Sequence, residues 1–330
     1  MDLGGRPILV APDSFKGTMS ATTVASAIGR GLAAAGRLAD LAPVADGGEG
    51  TMDVLLDALG GELIAVEAHD ALGRQIEARF ALLGDGRTAV VEVAAASGLT
   101  LIAEEERDAE AASSAGTGEL IAAAAARGAR EILVAAGGSA TTDGGRGAIE
   151  AVGDLNGAKL TVLCDVRTPF EQAAAVYAPQ KGADAAAVRR LTRRLMSFGL
   201  PRGVAMTGAA GGLSGGLWSK LGAKLVAGAP FVLDAVDFDR RMLESAAVIV
   251  GEGRLDPTSL QGKVVSEIAT RARQSGVPAY AIVGSRALDD FDARILDLQE
   301  IHEAGDARTV AAAARSLAGA ISSRPLPSHA

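Results

Sequence analysis

The sequence predicts an α/β fold in which a Rossmann-like parallel-sheet domain is interrupted by a second α/β domain containing antiparallel or mixed strands. Short apolar runs such as Pro7–Ala11 end in glycine-rich polar loops that lead into helical periodicity, the order typical of parallel strands with crossover helices. Between Glu62 and Val93, alternating apolar and polar residues around an Asp85-Gly86 turn predict an antiparallel hairpin. From Ser245 the chain returns to strand-and-loop units, and no long linker separates the two patterns. One domain is therefore expected to interrupt the other.

The domain boundaries follow from the places where the pattern changes. A chain of 330 residues has enough length for about two domains. The Rossmann-like domain is predicted to comprise residues 1–59, 116–152 and 240–330, and the second domain residues 60–115 and 153–239.

The first elements are assigned from periodicity and from capping residues. After the first strand, Ser20 is a suitable N-cap for a helix, because apolar residues then recur at every fourth position. A second strand, Leu41–Ala45, is placed at a sheet edge because Pro43 cannot donate to a strand ladder. Another helix, about Met52–Leu59, is expected to end at the glycines that follow it.

The central strand is predicted at Ile132–Ala136, where five apolar residues are stopped by a glycine pair. The polar loop that follows, Gly137–Gly145, leads into a helix and would present backbone N–H groups to an anion such as phosphate. A tight glycine-rich turn without a ligand is the alternative. The other predicted elements are strands at Leu160–Cys164, Gly203–Thr207, Ala246–Val250 and Ala279–Val283, and helices at Leu217–Val226 and Val264–Ser275.

Composition and charge exclude several classes of function. Aromatic residues make up 3% of the chain and its formal net charge is -8, so neither base stacking nor binding to a phosphate backbone is expected, and no nucleic-acid partner is predicted. The single cysteine, Cys164, indicates a reducing compartment. No apolar run approaches the roughly 18 residues of a membrane span, and Met1–Arg6 lacks a signal-peptide pattern. We therefore expect a soluble cytoplasmic protein with no membrane partner, and a homodimer is compatible with the sequence.

Loops at the ends of predicted strands carry most of the candidate chemistry, in the stretches PDSFKG, ADGGEGT, GGSATTDGG and GEGRLD. Because ligands of open parallel sheets bind outside the carboxyl ends of the strands, we expect these loops to share one cleft. Their carboxylates suit Mg²⁺ and their cations suit phosphate oxygens, as phosphoryl transfer requires. Any single acid among them is as compatible with a helix cap or turn. The P-loop and G-x-G-x-x-G signatures are absent from the sequence.

A different chemistry remains open at Gly212–Gly216, GLSGG, which fits the G-x-S-x-G pattern of a serine-hydrolase nucleophile elbow. Ser214 would be the nucleophile, with Asp237 or Asp256 and then His302 downstream as its partners. The match lies in a glycine- and alanine-rich run, where such patterns arise by chance.

Taken together, the loop sequences resemble those of the bacterial glycerate kinases of the glycerate 2-kinase type. The resemblance covers most of the chain, from Ala11 to about Gly284, and implies two α/β domains with the site in the cleft between them. It also implies ATP-dependent phosphorylation of D-glycerate with Mg²⁺, giving 2-phosphoglycerate. The stretches that carry it are APDSFKGTMSA, PVADGGEGT, EVAAASGL, GTGELI, GGSATTDGG, CDV, PQKGAD, GAAGG and GEGRLDPTSLQGK.

The same resemblance, together with the loop chemistry, assigns roles to individual residues. Catalytic roles are predicted for Lys16, Asp46, Asp143 and Asp256, and metal binding for Asp165 and Asp256. Contacts with substrate or phosphate are predicted for Asp13, Ser14, Gly47, Gly48, Gly137, Gly138, Ser139, Gly144, Lys181, Glu252, Arg254 and Lys263.

The sequence departs from the family pattern in three places. The family carries a longer segment where only Ala148–Lys159 stands here, and Thr142 and Thr168 occupy positions where asparagine is expected. A sugar-acid or nucleotide-binding homologue with impaired catalysis is therefore a further alternative.

Overall fold

The computed structural model describes residues 5–260 and 263–322. Its strands are β1 (Ile8–Pro12), β2 (Ala39–Leu41), β3 (Gly61–His69), β4 (Gln75–Leu83), β5 (Thr88–Glu92), β6 (Glu131–Ala135), β7 (Lys159–Cys164), β8 (Lys224–Ala227), β9 (Ala247–Leu255), β10 (Ala279–Arg286) and β11 (Leu298–Glu303). Its helices are α1 (Ala21–Ala34), α2 (Thr51–Leu59), α3 (Ala94–Ser97), α4 (Ala115–Ala126), α5 (Arg146–Ala151), α6 (Ala173–Tyr177), α7 (Ala185–Met196), α8 (Leu213–Leu221), α9 (Gly228–Ala235), α10 (Phe238–Leu243), α11 (Val264–Gln274), α12 (Asp290–Ile295) and α13 (Ala307–Ser322).

The chain forms two compact units, and the second is inserted into the sequence of the first. The first unit combines Met1–Asp46 with Val232–Ala330, and the second unit is Gly47–Phe231. One unit contains a parallel sheet and the other a mixed sheet, each with helices. The predicted α/β fold, a Rossmann-like domain interrupted by a mixed one, is therefore confirmed.

The sheet of the first unit has the strand order β2-β1-β9-β10-β11, and every pairing is parallel. From β1 the chain moves to β2 on one side, and after the second unit it resumes at β9 on the other side of β1. The direction of strand order therefore reverses between β1 and β9. In open parallel sheets, this switch point is where a crevice opens at the carboxyl ends of the strands.

Small residues allow the first unit to pack tightly around its parallel sheet. Every residue of β1 is buried, as fits a strand covered on both faces. Ser20 caps α1, as predicted, by accepting a hydrogen bond from Thr23 N. A Cβ atom at Gly31 of α1 would lie 2.1 Å from the carbonyl oxygen of Ala311 in α13, so only glycine permits this helix contact. The second strand was predicted at Leu41–Ala45, but β2 is Ala39–Leu41, so the bounds were wrong, although the strand lies at the sheet edge as predicted.

The sheet of the second unit has the order β3-β4-β5-β6-β7-β8. Its first three strands pair antiparallel, which confirms the predicted hairpin, and the pairings from β5 to β8 are parallel. The core is rich in Val, Leu, Ile and Ala, with Phe80 as a fully buried aromatic residue. The carboxyl ends of β5, β6 and β7 thus lie along one edge of this sheet.

The domain boundaries differ from the predicted ones. Residues 116–152 were expected in the Rossmann-like domain, but β6 pairs with β5 and β7 in the mixed sheet. The second unit also begins at Gly47 and therefore includes α2. An apolar run such as Ile132–Ala136 predicts a buried strand without indicating the sheet to which it belongs, because burial on both faces leaves no distinguishing alternation.

Three local predictions are also corrected. Strand β9 continues through Gly251–Leu255, where a loop was expected, and pairs with β10 as far as Leu255. Gly203–Thr207 is a series of turns, and Lys224–Ala227 supplies the last strand of the mixed sheet where a helix was predicted. In β9 the glycines serve close packing, since a Cβ at Gly253 would lie 3.1 Å from the Cα of Phe15.

None of the helices in the described part of the chain has both the length and the apolar character that a membrane crossing requires.

Candidate active site

The first unit contains a pocket of about 350 Å³ at the switch point of its sheet. The volume lies at the small end of the range of roughly 300–1,000 Å³ that is usual for ligand pockets. The loop after β1 and the end of β9 supply most of its wall. The lining residues are Asp13, Ser14, Phe15, Lys16, Thr18, Asp46, Glu252, Gly253, Arg254, Asp256, Lys263, Gly284, Ser285 and Gly305.

The loop after β1 is fixed by backbone and apolar contacts, which places its polar side chains at the pocket. The amide of Asp13 donates to Gly251 O at 2.8 Å, and Phe15 is buried in the core. Phe15 and Met19 also exchange backbone hydrogen bonds that close the loop. The amide of Ser14 donates to Asp13 Oδ1 at 2.6 Å, which orients that carboxyl.

Three carboxyl groups of this pocket are buried: Asp13, Asp46 and Glu252. Burial, reinforced by the charge of Asp46, raises the pKa of Asp13 to about 8, although Lys16 and the Ser14 amide act in the opposite direction. Burial also raises the pKa of Glu252 to about 7, opposed by a hydrogen bond from the Ser259 side chain. Carboxyl groups whose pKa values lie near neutral pH can exchange protons with a substrate.

Cationic side chains lie at the more exposed part of the same pocket. Lys16 Nζ is 4.0 Å from Asp46 Oδ2, and its side chain is 54% exposed. Arg254 Nε is 3.5 Å from Asp256 Oδ2, and the Arg254 side chain is 68% exposed. Lys263 occupies the N-cap position of α11 and lines the pocket. Buried acceptors and solvent-facing cations thus surround one small volume.

Asp256 was predicted as a catalytic and metal-binding residue, but its carboxylate is engaged in a turn. Asp256 Oδ1 accepts hydrogen bonds from both the amide and the hydroxyl of Thr258, at 2.9 and 2.6 Å. Although burial acts against it, these bonds and the nearby cations lower the pKa of Asp256. Its remaining oxygen faces Arg254, which gives Asp256 the geometry of a residue that orients a cation.

The remaining predicted residues belong to the second unit, where β5, β6 and β7 end. Ala136 N donates to Leu163 O and Ala140 N donates to Ser97 O, which fixes both ends of the turn between them. Within the described ranges, the amides of Gly137, Gly138 and Ser139 in that turn donate no backbone hydrogen bond. Gly138 has φ +70°, a conformation that other residues rarely adopt. A turn of this kind offers amide groups to an anion.

Two glycine loops of the second unit touch through their backbones. A Cβ at Gly137 would lie 2.4 Å from the Cα of Gly48, and a Cβ at Gly47 would lie 2.7 Å from the Cα of Gly228. Side chains at either position would force the loops apart. Gly47 and Gly137, both predicted from the sequence as phosphate contacts, are thus required for this packing.

Lys181 is buried beside the same turn, with 2% of its surface exposed. Its ammonium group donates to Ser139 Oγ at 2.8 Å and to Thr141 O at 2.6 Å. Burial lowers the pKa of Lys181 to about 7, while the charges of Asp143 and Asp165 act in the opposite direction. Lys181 therefore holds the Gly137–Gly145 loop from inside the protein.

The carboxylate of Asp143, another predicted catalytic residue, is surrounded by hydrogen-bond donors. Asp143 Oδ2 accepts from Ser114 N, Ser114 Oγ and Gly147 N, and Oδ1 accepts from Gly145 N, all at 2.7–3.1 Å. These bonds join the loop to the starts of α4 and α5. Gly144, predicted to contact phosphate, donates its amide to Gly211 O and packs against Phe198. The contacts of both residues support a role in shaping the loop.

Asp165, predicted as a metal ligand, directly follows β7 and is partly exposed. Its Oδ2 lies 3.4 Å from the position of a Cβ at Gly137, so the carboxylate is beside the glycine turn. Among the described residues there is no group of three or more His, Cys, Asp or Glu side chains placed to hold a metal ion. A cation bound beside Asp165 would therefore need further oxygen ligands from molecules other than the protein.

The structure does not support the nucleophile elbow. Ser214 lies within α8, fully buried, and its hydroxyl donates to Met206 O at 2.7 Å and Ala209 O at 3.2 Å. His302 Nε2 is 3.0 Å from Glu300 Oε2. A hydroxyl that is buried and committed to two carbonyl groups cannot attack a substrate.

Glu92, which the sequence pattern did not single out, is a buried acid at the carboxyl end of β5. Its Oε1 accepts hydrogen bonds from Gly50 N at 2.9 Å and Met52 N at 2.8 Å, at the start of α2. Burial raises its pKa to about 7, although these two bonds lower it. The signal available was an acid at the end of the buried run Ala89–Glu92, the same pattern that identified the other loops.

Comparisons with known proteins agree with this architecture. The sequence model of the Glycerate kinase family matches residues 8–156 and 153–320. A glycerate kinase from Halalkalibacterium halodurans is 38% identical over 323 residues, covering 84% of this chain and 85% of the relative. The glycerate 2-kinase of Escherichia coli is 35% identical over 323 residues, covering 84% and 85%.

A solved structure shows the same fold. A crystal structure of a protein assigned as glycerate kinase 2 from Salmonella typhimurium LT2 has a TM-score of 0.81 and 31% identity, covering 97% of this chain and 99% of that one. The two family matches meet at residues 153–156, within the connection predicted to be short. From the sequence match and the shared fold together, the chain belongs to the glycerate kinase family and is a phosphotransferase.

Proposed function

We propose that the protein phosphorylates D-glycerate with ATP and Mg²⁺ and releases 2-phosphoglycerate. The observation that carries this proposal is the pocket of the first unit, in which buried carboxyl groups and exposed cations surround about 350 Å³. A small hydroxy acid has the matching chemistry, since its carboxylate requires cations and its hydroxyl groups require acceptors.

The cations Lys16, Arg254 and Lys263 would bind the carboxylate of glycerate and the phosphate oxygens. Arg254 can offer two parallel N–H groups to a carboxylate. Asp256 would orient the Arg254 side chain through its contact with Nε. Asp46 would hold Lys16 in position across 4.0 Å. Attraction by several cations would draw an anionic substrate into a protein whose formal net charge is -8.

Asp13 would accept the proton of the attacking hydroxyl. An oxygen–phosphorus bond then forms between the substrate and the transferred phosphoryl group, the bond to ADP breaks, and the proton stays on Asp13. A general base works best with a pKa near the working pH, and the pKa of Asp13 is raised to about 8 by burial and by Asp46. Asp143, predicted as catalytic, is not given this role, because its oxygens already accept bonds from four donors.

The glycine turn Gly137–Ser139 would contact the phosphates of ATP through its amide groups, and Lys181 and Asp143 would hold that loop in shape. Mg²⁺ uses few protein carboxylates together with phosphate oxygens and water, which suits a chain whose described residues include no group of three or more His, Cys, Asp or Glu side chains placed to hold a metal ion. Asp165, beside the turn, would supply one such ligand. When bound, Mg²⁺ would offset negative charge on the phosphates.

The test is release of ADP from Mg-ATP with D-glycerate, followed by NMR identification of the phosphorylated carbon. We expect D-glycerate-dependent ADP release and phosphate on carbon 2. Phosphate on carbon 3 would contradict the product assignment. Binding of ATP and D-glycerate without ADP release would favour the binding-protein alternative.

A further inference from the structure

Among the described residues of the first unit, Glu252 has a buried hydrogen-bond acceptor without a partner in the protein. Glu252 is 7% exposed, and its Oε1 atom makes no hydrogen bond. Buried polar atoms are almost always paired, because leaving one unpaired is unfavourable. Glu252 also lines the pocket at the switch point, beside Gly253 and Arg254. The unpaired atom and the pocket are two independent observations at the same place.

The surroundings of Glu252 fix its carboxyl group in place. Ser259, which is fully buried, hydrogen-bonds the Glu252 carboxyl through its side chain, and Ser259 Oγ accepts from Asp256 N at 3.1 Å. Strand β9 itself is paired with β10 on both sides of Glu252. The Glu252 carboxyl group is therefore fixed by its hydrogen bond with Ser259, and Oε1 remains available to accept a hydrogen bond from another molecule.

We propose that Glu252 is a specificity-determining residue that hydrogen-bonds, through Oε1, the hydroxyl group of the substrate that does not receive phosphate. The inference rests on the proposed function, because it assumes that glycerate occupies this pocket. In 2-phosphorylation the group concerned is the hydroxyl on carbon 3. Asp13 would act on the reacting hydroxyl, so the two buried carboxyl groups would each serve one hydroxyl of the substrate.

A hydroxyl group is the ligand that fits Glu252 in either protonation state. The pKa of Glu252 is raised by burial to about 7, so both forms are present near neutral pH. A hydroxyl can donate to the ionised carboxylate and accept from the protonated acid. A substrate carboxylate would be repelled by the ionised form, and the cations of the pocket already offer it a better place.

A site built to bind a hydroxyl group rejects analogues that lack it. Such discrimination reaches about 10⁴–10⁵-fold when the partner left in the site is buried and unpaired. D-lactate is D-glycerate without the hydroxyl on carbon 3, and it keeps the carboxylate and the hydroxyl on carbon 2. The ratio of kcat/KM for D-glycerate to that for D-lactate therefore measures what Glu252 contributes.

The experiment compares the wild type with Glu252→Ala and Glu252→Gln, and with Glu244→Gln as a control at an exposed glutamate. We expect the kcat/KM of the wild type to be about 100-fold or more higher for D-glycerate than for D-lactate. Glu252→Ala should lower this ratio at least about tenfold, by lowering kcat/KM for D-glycerate. Glu252→Gln keeps an accepting oxygen and should retain part of the preference. The KM for ATP should not change in any variant.

An unchanged ratio in Glu252→Ala, or an equal loss on both substrates, would overturn the inference. If Glu252→Ala does not fold, the inference is tested with Glu252→Gln and with calorimetric measurement of the binding of D-glycerate and D-lactate to the wild type. Equal affinities for the two acids would contradict the role of Glu252. If phosphate is found on carbon 3, 3-hydroxypropionate replaces D-lactate as the analogue. Absence of any D-glycerate turnover in the wild type would reject the proposed function, whereas turnover with an unchanged ratio would reject only the role of Glu252.

Discussion

Replacing Asp143 by Asn tests whether this residue shapes the glycine loop or takes part in the chemistry. The sequence pattern predicted a catalytic carboxylate, whose loss would leave folding intact. In the structure, however, Asp143 accepts four hydrogen bonds from Ser114, Gly145 and Gly147 while 7% exposed. Asparagine has one accepting oxygen, so its amide nitrogen must face at least one N–H group that now has an acceptor.

The expected loss of stability follows from these contacts. If the amide oxygen replaces Oδ2, the bonds from Ser114 and Gly147 become neutral instead of charge-assisted, and Gly145 N is left facing a donor. One unpaired buried group costs about 1–3 kcal/mol, and weaker bonds add to this, so we expect about 2–4 kcal/mol in total. For a unit of this size, each kcal/mol lowers Tm by about 2–4 °C, which predicts a decrease of roughly 5–15 °C.

The assay is thermal unfolding followed by circular dichroism, with kcat measured well below the transition. Asp154→Asn is the matched control, because Asp154 accepts a backbone bond from Asn156 at an exposed turn and its change should stay within about 0.5 kcal/mol. A Tm for Asp143→Asn within about 2 °C of the wild type, combined with loss of turnover, would refute the structural role and restore the catalytic one.

Other substitutions address the remaining roles. With Asp13 as the base, kcat/KM for D-glycerate should rise with pH, reach half of its maximum near pH 8 and level off above it. Asp13→Asn should be slow with a flat profile, and a wild-type profile in that variant would exclude Asp13. Lys181→Met should lower kcat at least about tenfold, because both hydrogen bonds from Lys181 to the Gly137–Gly145 loop are lost. Wild-type kinetics in this variant would show that the loop keeps its conformation without these bonds. Ser214→Ala should keep phosphoryl transfer within about threefold, because its hydroxyl is committed to carbonyl groups and has no place in the transfer.

Much of the fold could be predicted because periodicity and caps act locally. Ser20 and the apolar positions after it determine the first helix, and the Asp85-Gly86 turn determines a hairpin. The sheet to which a strand belongs depends on distant partners. Nothing within Glu131–Ala135 distinguishes a place beside β1 from its place between β5 and β7, and so the predicted domain boundaries failed there.

The candidate site was predictable by residue type and position but not by role. Asp13 and Asp143 both follow apolar strands and belong to glycine-containing loops, and the sequence offers no reason to separate them. In three dimensions Asp143 accepts hydrogen bonds from four donors, whereas Asp13 has one amide partner, and its pKa is raised by burial and by the charge of Asp46. Glycines raise the same difficulty, since Gly253 is part of a strand and Gly138 is part of a turn with positive φ.

The buried carboxyl groups of the first unit are better explained by chemistry than by folding. Because the pKa values of Asp13 and Glu252 are raised from 3.8 and 4.5 to about 8 and 7, the folded state binds their protons more tightly than the unfolded state. Their contribution to stability is therefore complete below about pH 4 and is lost as pH rises through 7 to 8. A protein that works near neutral pH derives little stability from such groups, and apolar residues of similar size would serve the core better. Local features that weaken a fold tend to lie at functional sites, and here they lie together at the switch point of a parallel sheet, beside exposed cations.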